Sequence, residues 1–412
     1  YFYPSISSSV VMSELIKMPE FIDFWKIRGS WTVTKNDLSI YAINSVYTIT
    51  TNAWNDMTAA YASTALKDAV IKPATSRSYE IGTAFNFFKN RLKFDLTYYN
   101  KLSYNNSTSA TISSASGYSS SLINIDEDLL RKGLEITLSG SIIRKKDIDW
   151  NATFNWARDR YYYDKTDPVY STQKPWVKKG SRADWVSARD YQRDPDGNII
   201  HGNDGYPLIN PYATLQGYSN PDWVWGFTSN IRYKNISFDV SVDGRVGGIA
   251  HAEVDQAMWN SGAHIDSDNQ YRYDEVVNGK KTYVGKGVKV TSGSAVWNSD
   301  GTIATDNRTY TTNDKVVSYE TYMITKNPWV GTVRTQNLQK QTFIKLRSLA
   351  INYVIPEKAC SAMGFKSASL GLVGQNLLMW TKDFRFSDPD VGYDDINSPS
   401  IRLVGFNLRI NF

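Results

Sequence analysis

Cysteine is all but missing. Cys360 stands alone among 412 residues, which excludes an internal disulfide and a cysteine-built metal cluster. Histidine is nearly as scarce, with His201, His251 and His264 the full set. None has a second histidine at helical spacing, as a zinc protease needs, and no nucleophile elbow or phosphate loop occurs. Long apolar runs are lacking too: no stretch approaches the ~20 consecutive apolar residues of a spanning helix. Charge of one sign is not concentrated. The 46 basic and 41 acidic residues are scattered and leave a net +5. A nucleic-acid surface would show instead as a basic stripe. The opening "YFYPSISSSV" has no basic start followed by an apolar run, so no signal peptide is legible.

Aromatic residues are abundant: 27 Tyr, 16 Phe and 13 Trp. Many fall in stretches with a strict period of two. "SYEIGTAFNF" sets Tyr79, Ile81, Thr83, Phe85 and Phe87 on one face, with Glu80, Gly82, Ala84 and Asn86 on the other. After "FKNR", "LKFDLTYYNK" sets Leu92, Phe94, Leu96 and Tyr98 against Lys93, Asp95 and Thr97. "LEITLSGSI", "DWNATFNW", "WVWGFTSNIRY" and "ISFDVSVDG" alternate in the same way, and so does the final "IRLVGFNLRINF". Weaker alternation occupies "ISSSVVMS", "FWKIRGSWTV", "FIKLRSLAINYVI" and "ASLGLVGQNLLMW". The sequence therefore predicts eleven strands.

The connections alternate in length. Short links are expected at 15–21, 88–91, 144–148, 234–235 and 356–366. Long links, rich in Gly, Ser, Asn, Asp and Trp, are expected at 34–75, 103–131, 160–222, 247–341 and 380–400. Compact soluble domains seldom carry several loops of that length. An outer-membrane barrel does, with short periplasmic turns and long extracellular loops. Strands of about ten residues, tilted by roughly 45°, match its apolar band. The expectation is an all-β chain: a transmembrane antiparallel β-barrel. A soluble β-sandwich would bury the same apolar faces against a second sheet. With short turns in the periplasm, the first strand starts outside, and eleven strands cannot close. The whole of 1–412 then reads as the C-terminal half of a 22-stranded barrel, with plug and upstream strands lying elsewhere.

The chain resembles the C-terminal half of the SusC/RagA-like TonB-dependent transporters of the Bacteroidetes outer membrane. The resemblance lies in "FYPSISSSVVMSE", "IDFWKIRGSW" and "KPATSRSYEIGTAFNFFKNRLKFDLTYYNK". It continues through "KGLEITLSGSIIRKKDIDWNATFNWA", "NPDWVWGFTSNIRYKNISFDVSVDGRVGG", "FIKLRSLAINYVIP", "GQNLLMWTKDFRFSDPDV" and "IRLVGFNLRINF". It implies an N-terminal plug, a lid made by a SusD-like surface lipoprotein, and pairs of such complexes that dimerise. It also implies uptake of oligosaccharides, or of peptides as in the RagA type, energised through TonB. The chain would then be no enzyme, and it would contact outer-membrane lipid but no nucleic acid. By the same resemblance, Phe406, Leu408, Ile410 and Phe412 form the signal that barrel-assembly machinery reads. A passive porin and a soluble β-rich glycan-binding protein or hydrolase are the competing classes.

Six tryptophans in the expected outer loops are candidates for substrate or lid contact: Trp54, Trp176, Trp185, Trp259, Trp297 and Trp329. "RDPDGNIIHGND" places Asp194, Asp196, Asn198 and Asp204 somewhat like a calcium loop. Its glycine is fourth rather than sixth, the closing glutamate is missing, and Asp196–Gly197 also reads as a hairpin turn. No other cofactor is expected. The carboxylate pairs Asp388 with Asp390, and Asp394 with Asp395, are expected to be solvated or paired with Arg385.

Overall fold

The computed structural model describes residues 2–67, 70–298, 300–326, 335–391 and 399–412. Eleven long strands appear where the alternation placed them. They are β1 Ser5–Val11, β2 Ile22–Asn36, β3 Ala74–Phe87, β4 Leu92–Tyr104, β5 Asp128–Arg144 and β6 Ile148–Lys165. The others are β7 Trp223–Tyr233, β8 Ile236–Val246, β9 Phe343–Val354, β10 Ser367–Thr381 and β11 Leu403–Asn411. The links alternate between short and long as expected. No helix among the described residues is long and apolar enough to cross a membrane, which says nothing about strands.

The chain divides into two units. Unit one holds 1–140 and 157–183; unit two holds 141–156 and 184–412. In unit one, β1 through β5 pair antiparallel with their sequence neighbours. In unit two, β7 through β11 do the same. Register fixes which side chains share a face. Opposite Phe94 stands Leu138, and opposite Asp95 stands Thr137. Phe238 faces Ile231 and Ile351, while Asp239 faces Asn230 and Ala350. At the last pair Leu408 meets Leu370, and Arg409 meets Ser369.

The apolar faces are uncovered. Ile81 is 58% exposed, Leu372 59% and Phe406 78%. Among the described hydrophobic residues that are fully buried, Tyr163, Phe343 and Ala368 lie on the long strands, and the others lie in loops, links or short elements. A sandwich would have reversed this, since its core lies between sheets. Near the short turns of unit one, aromatic rings stack on the apolar face. Trp25 lies 5.4 Å from Phe85, Phe85 lies 5.5 Å from Phe87, and Phe21 lies 6.5 Å from Phe87.

The polar faces use glycine as a gap. Arg28 pairs in register with Gly82 and reaches over it to β4, with Nη1 and Nη2 each 2.7 Å from a carboxylate oxygen of Asp95. A Cβ on Gly82 would sit 2.8 Å from the guanidinium carbon. Tyr99 crosses Gly133 likewise and donates its hydroxyl to Asp159 Oδ1 at 2.9 Å. Arg131 completes that cluster, with Nη2 2.7 Å from Asp159 Oδ2.

In β9 the alternation changes phase. Val242 pairs with Leu346, but Ser241 pairs with Ser348, so Arg347 is an extra, bulged residue. Lys345, Ser348, Ala350 and Asn352 therefore share the polar face despite their mixed parity. Residues 376–377 of β10 are skipped beside the same point. These two breaks explain why both segments alternate only weakly in sequence.

Candidate functional site

In unit two the loops 184–222 and 247–341 fold together. Ile200–His201 runs parallel to Val288–Ser292, which pairs in turn with Thr309–Thr312. Ile249–His251 pairs with Leu338–Lys340, and Tyr283–Val284 with Val316–Val317. Three helices join them: Glu253–Ser261, Gln270–Val276 and Tyr319–Lys326. In "YETYM", Tyr319, Tyr322 and Met323 recur at helical spacing and bury one face. With Val317 they form a small core, on which Tyr206, Trp259 and Tyr283 pack. Tyr283 meets Tyr322 edge-on at 4.9 Å and Tyr319 at 5.2 Å.

His201 is inaccessible to solvent and ties three segments of this core. Its Nδ1 donates to the Val288 carbonyl at 3.2 Å, and Nε2 accepts from the Tyr322 hydroxyl at 3.0 Å. Those partners fit the neutral ring with its proton on Nδ1. Burial holds its pKa below the ordinary imidazole value. Burial also raises the Tyr322 phenol, so both groups stay uncharged.

Between the helices lies a pocket of about 280 Å³ whose wall includes Trp259, Gly262, Arg272, Glu275, Tyr319 and Met323. Glu275 Oε2 accepts the Tyr319 backbone N–H at 2.6 Å, so a carboxylate caps the start of the Tyr319–Lys326 helix. Arg272 Nη1 donates to the Gly262 carbonyl at 2.6 Å and to Ser267 Oγ at 2.8 Å. Gly262 closes the Glu253–Ser261 helix at φ 71°, a left-handed cap that a side chain would strain. Trp259 stacks on His264 with centroids 4.1 Å apart. His264 Nδ1 accepts the Asp266 N–H at 3.1 Å, and Nε2 lies 3.0 Å from Asp255 Oδ1. The pocket thus offers both charge signs beside an aromatic and apolar wall.

A second cluster lies on the polar face of β8 and β9. Lys345 Nζ is 2.5 Å from Asp388 Oδ2 and 3.3 Å from Asp390 Oδ2. Arg347 bridges Asp243 at 2.7 Å and Asp390 at 2.5 Å. Asp388 is thus buried and Asp390 half-buried, and neither is held by Arg385. Lys345 holds Asp388, the bulge brings Arg347 to Asp390, and Arg385 instead pairs with Asp266 at 2.9 Å.

Of the tryptophan candidates, Trp259 reaches the pocket. Trp176 lies in the loop after β6 in unit one. In unit two, Trp185 pairs with Tyr218, and Trp297 with Ile303, in separate small sheets. Trp329, Asp394 and Asp395 fall outside the described residues, as does the side chain of Trp54. Asp194 closes a hairpin turn, its Oδ1 accepting the Asn198 N–H at 2.7 Å, with Gly197 at φ 85°. Asp204 Oδ1 accepts the Tyr206 N–H in a separate turn. Among the described residues no three His, Cys, Asp or Glu side chains gather as a metal site. Phe406, Leu408 and Phe412 are exposed, Ile410 is half-buried, and Phe412 meets Phe365 edge-on at 5.3 Å. Sequence reasoning missed Arg272, Glu275 and the tyrosine core. The helical spacing in "YETYM" was the available signal.

The family model "TonB dependent receptor-like, beta-barrel" matches residues 15–198. TonB-dependent receptor P3 of Formosa agariphila is 22% identical, over 98% of this chain and 40% of the relative. TonB-dependent receptor P26 of the same organism is also 22% identical, over 82% of this chain and 34% of the relative. This chain therefore spans about 40% or less of the curated relatives it matches. Among solved structures, the RagAB peptide importer in its open-open state superposes with TM-score 0.68 at 17% identity. That match covers all of this chain and 42% of the other. The closed-closed state gives 0.67 at 18% identity, over 98% of this chain and 43% of the other.

Proposed function

Because this chain is a TonB-dependent receptor β-barrel of a Gram-negative outer membrane, we propose that it serves an active importer energised through TonB and lidded by a SusD-like surface lipoprotein. Its exposed apolar faces then meet lipid, and the polar faces of its strands line the path of the substrate. The barrel has 22 strands in this reading, and two transporter–lipoprotein pairs associate.

The pocket between the Gln270–Val276 and Tyr319–Lys326 helices takes the substrate, and the observation that carries the class is Arg272 beside Glu275. A guanidinium and a carboxylate one helical turn apart, against Trp259 and Met323, suit a peptide with its own charges of both signs. Exposed Val276 and Ile324 in its wall, with exposed Tyr271, Tyr273 and Val277 on or just after the Gln270–Val276 helix, form the lid's landing area. The RagAB structures, named as a peptide importer, agree with this substrate class. Oligosaccharide import is the second reading, and Trp259 in the pocket wall favours it, since aromatic faces stack on sugar rings. One ring face is already occupied by His264, which weakens that case.

The test is binding to the purified full-length protein in detergent, with mixed short peptides and neutral oligosaccharides compared. Arg272→Ala should weaken peptide binding by roughly tenfold or more, the size of a charge-assisted hydrogen bond. Oligosaccharide binding that ignores Arg272→Ala, with no peptide binding at all, would replace the peptide reading with the glycan one.

A further inference from the structure

The connection after β10 does more than join two strands. From Asp383 to Val391 it lies down on unit two and is held at both ends. At one end Asp388 sits against Lys345, and both side chains are more than nine-tenths buried. Asp390 completes the seat by bridging Lys345 and Arg347. The Asp390 N–H donates to Asp388 Oδ1 at 3.0 Å, which locks the two carboxylates in one turn. At the other end the Phe386 ring meets His264 edge-on at 4.9 Å, and Arg385 pairs with Asp266. Phe384, just before Arg385, is buried, and Gln341 Nε2 donates to the Pro389 carbonyl at 3.3 Å.

The charges explain why the seat exists. β8 and β9 bring Arg245, Lys345 and Arg347 to one place, with Asp243 as their own carboxylate. Two further carboxylates arrive only with the 383–391 segment. Without them, three cations would share the single carboxylate of Asp243, an imbalance that a buried site tolerates poorly. The bulge at Arg347 matters here, because it places a second cation on the polar face within reach of Asp390. At the far end, Trp259 stacks on His264, and His264 contacts Phe386. A continuous chain of contacts therefore runs from the charged seat to the pocket wall.

We propose that Asp383–Val391 is an electrostatic strap: seating Asp388 and Asp390 on Lys345 and Arg347 holds the Trp259–His264 side of the loop assembly in place over the strands. Unseating the strap releases the Glu253–Ser261 helix and the pocket wall with it. The proposal does not depend on which substrate the pocket takes.

Hydrogen exchange on the purified full-length protein in detergent tests it. Asp388→Asn removes the nearer, more buried carboxylate and leaves Lys345 only the longer contact to Asp390 at 3.3 Å, a costly weakening of a buried pair. It should speed exchange at least about tenfold in 383–391 and also in 253–267. The double variant Lys345→Met with Asp388→Leu removes both charges and should return exchange in both segments to near wild type. Phe386→Ala leaves the ion pairs intact and should speed exchange in 253–267 while 383–391 stays protected at its charged end. If Asp388→Asn prevents assembly, Phe386→Ala, on the loop side, still decides the coupling. Wild-type exchange in 253–267 for Phe386→Ala overturns the coupling, and wild-type exchange in 383–391 for Asp388→Asn overturns the seat.

Discussion

Arg28 and Asp95 are joined across an intervening strand, because Gly82 leaves room for the guanidinium to pass. Each group is more than one-third exposed, so the pair itself contributes little, about 0–1 kcal/mol. Gly82→Ala should therefore cost no more than about 1 kcal/mol in the unfolding midpoint. Gly133→Ala should cost more, since its Cβ would run into the Tyr99 ring, a bulkier and stiffer neighbour. Chemical denaturation of the two refolded variants compares them directly.

Leu138 and Thr137 are adjacent on β5 but face opposite ways. An arginine at a midplane lipid-facing position costs roughly 2–4 kcal/mol, against little on a polar face. Leu138→Arg should lower the heat-modifiable folded fraction sharply, and Thr137→Arg should leave it close to wild type. Equal losses would contradict the assignment of faces.

His201 predicts a pH response confined to the loop assembly. Its folded pKa is lowered, so the unfolded state binds more protons between the two values. Its contribution is complete above about pH 6.5, the ordinary imidazole pKa, and is lost as pH falls toward the folded value. Protonation would also end the acceptor role of Nε2 toward Tyr322. Exchange in 199–202 and 319–324 should quicken below about pH 6.5, while the long strands stay protected. His201→Gln should flatten the profile.

Gly205 has φ 83°, and a Cβ there would meet Val317 Cγ1 at 2.6 Å. Gly205→Ala combines backbone strain with a clash against the small core. Strain of this kind costs about 1–3 kcal/mol. The loop assembly should become protease-sensitive, with the strands of unit two still folded; intact resistance would show that the turn relaxes without loss.

The strands were legible because one rule, alternation, governs them, and uncovered apolar faces leave that rule undisturbed. It faded in "FIKLRSLAINYVI" because Arg347 is an extra residue that reverses parity midway. The loops were legible only in length. Tryptophan drew attention there, yet the loop core is built on Tyr283, Tyr319 and Tyr322, whose neighbours come from far along the chain. Asp388 looked solvated for the same reason: its partner Lys345 is 43 residues away, and no local pattern announces a long-range ion pair.

The ring stack of Trp25, Phe85, Phe87 and Phe21 sets a waterline. Such rings rest where hydrocarbon gives way to headgroups, and a stack resists sliding past that boundary. The short-turn ends of the strands in unit one that carry these rings are thereby pinned to a fixed depth. A bilayer that thickens or thins would leave those ends where they are and shift the mismatch toward the long-loop ends of the same strands.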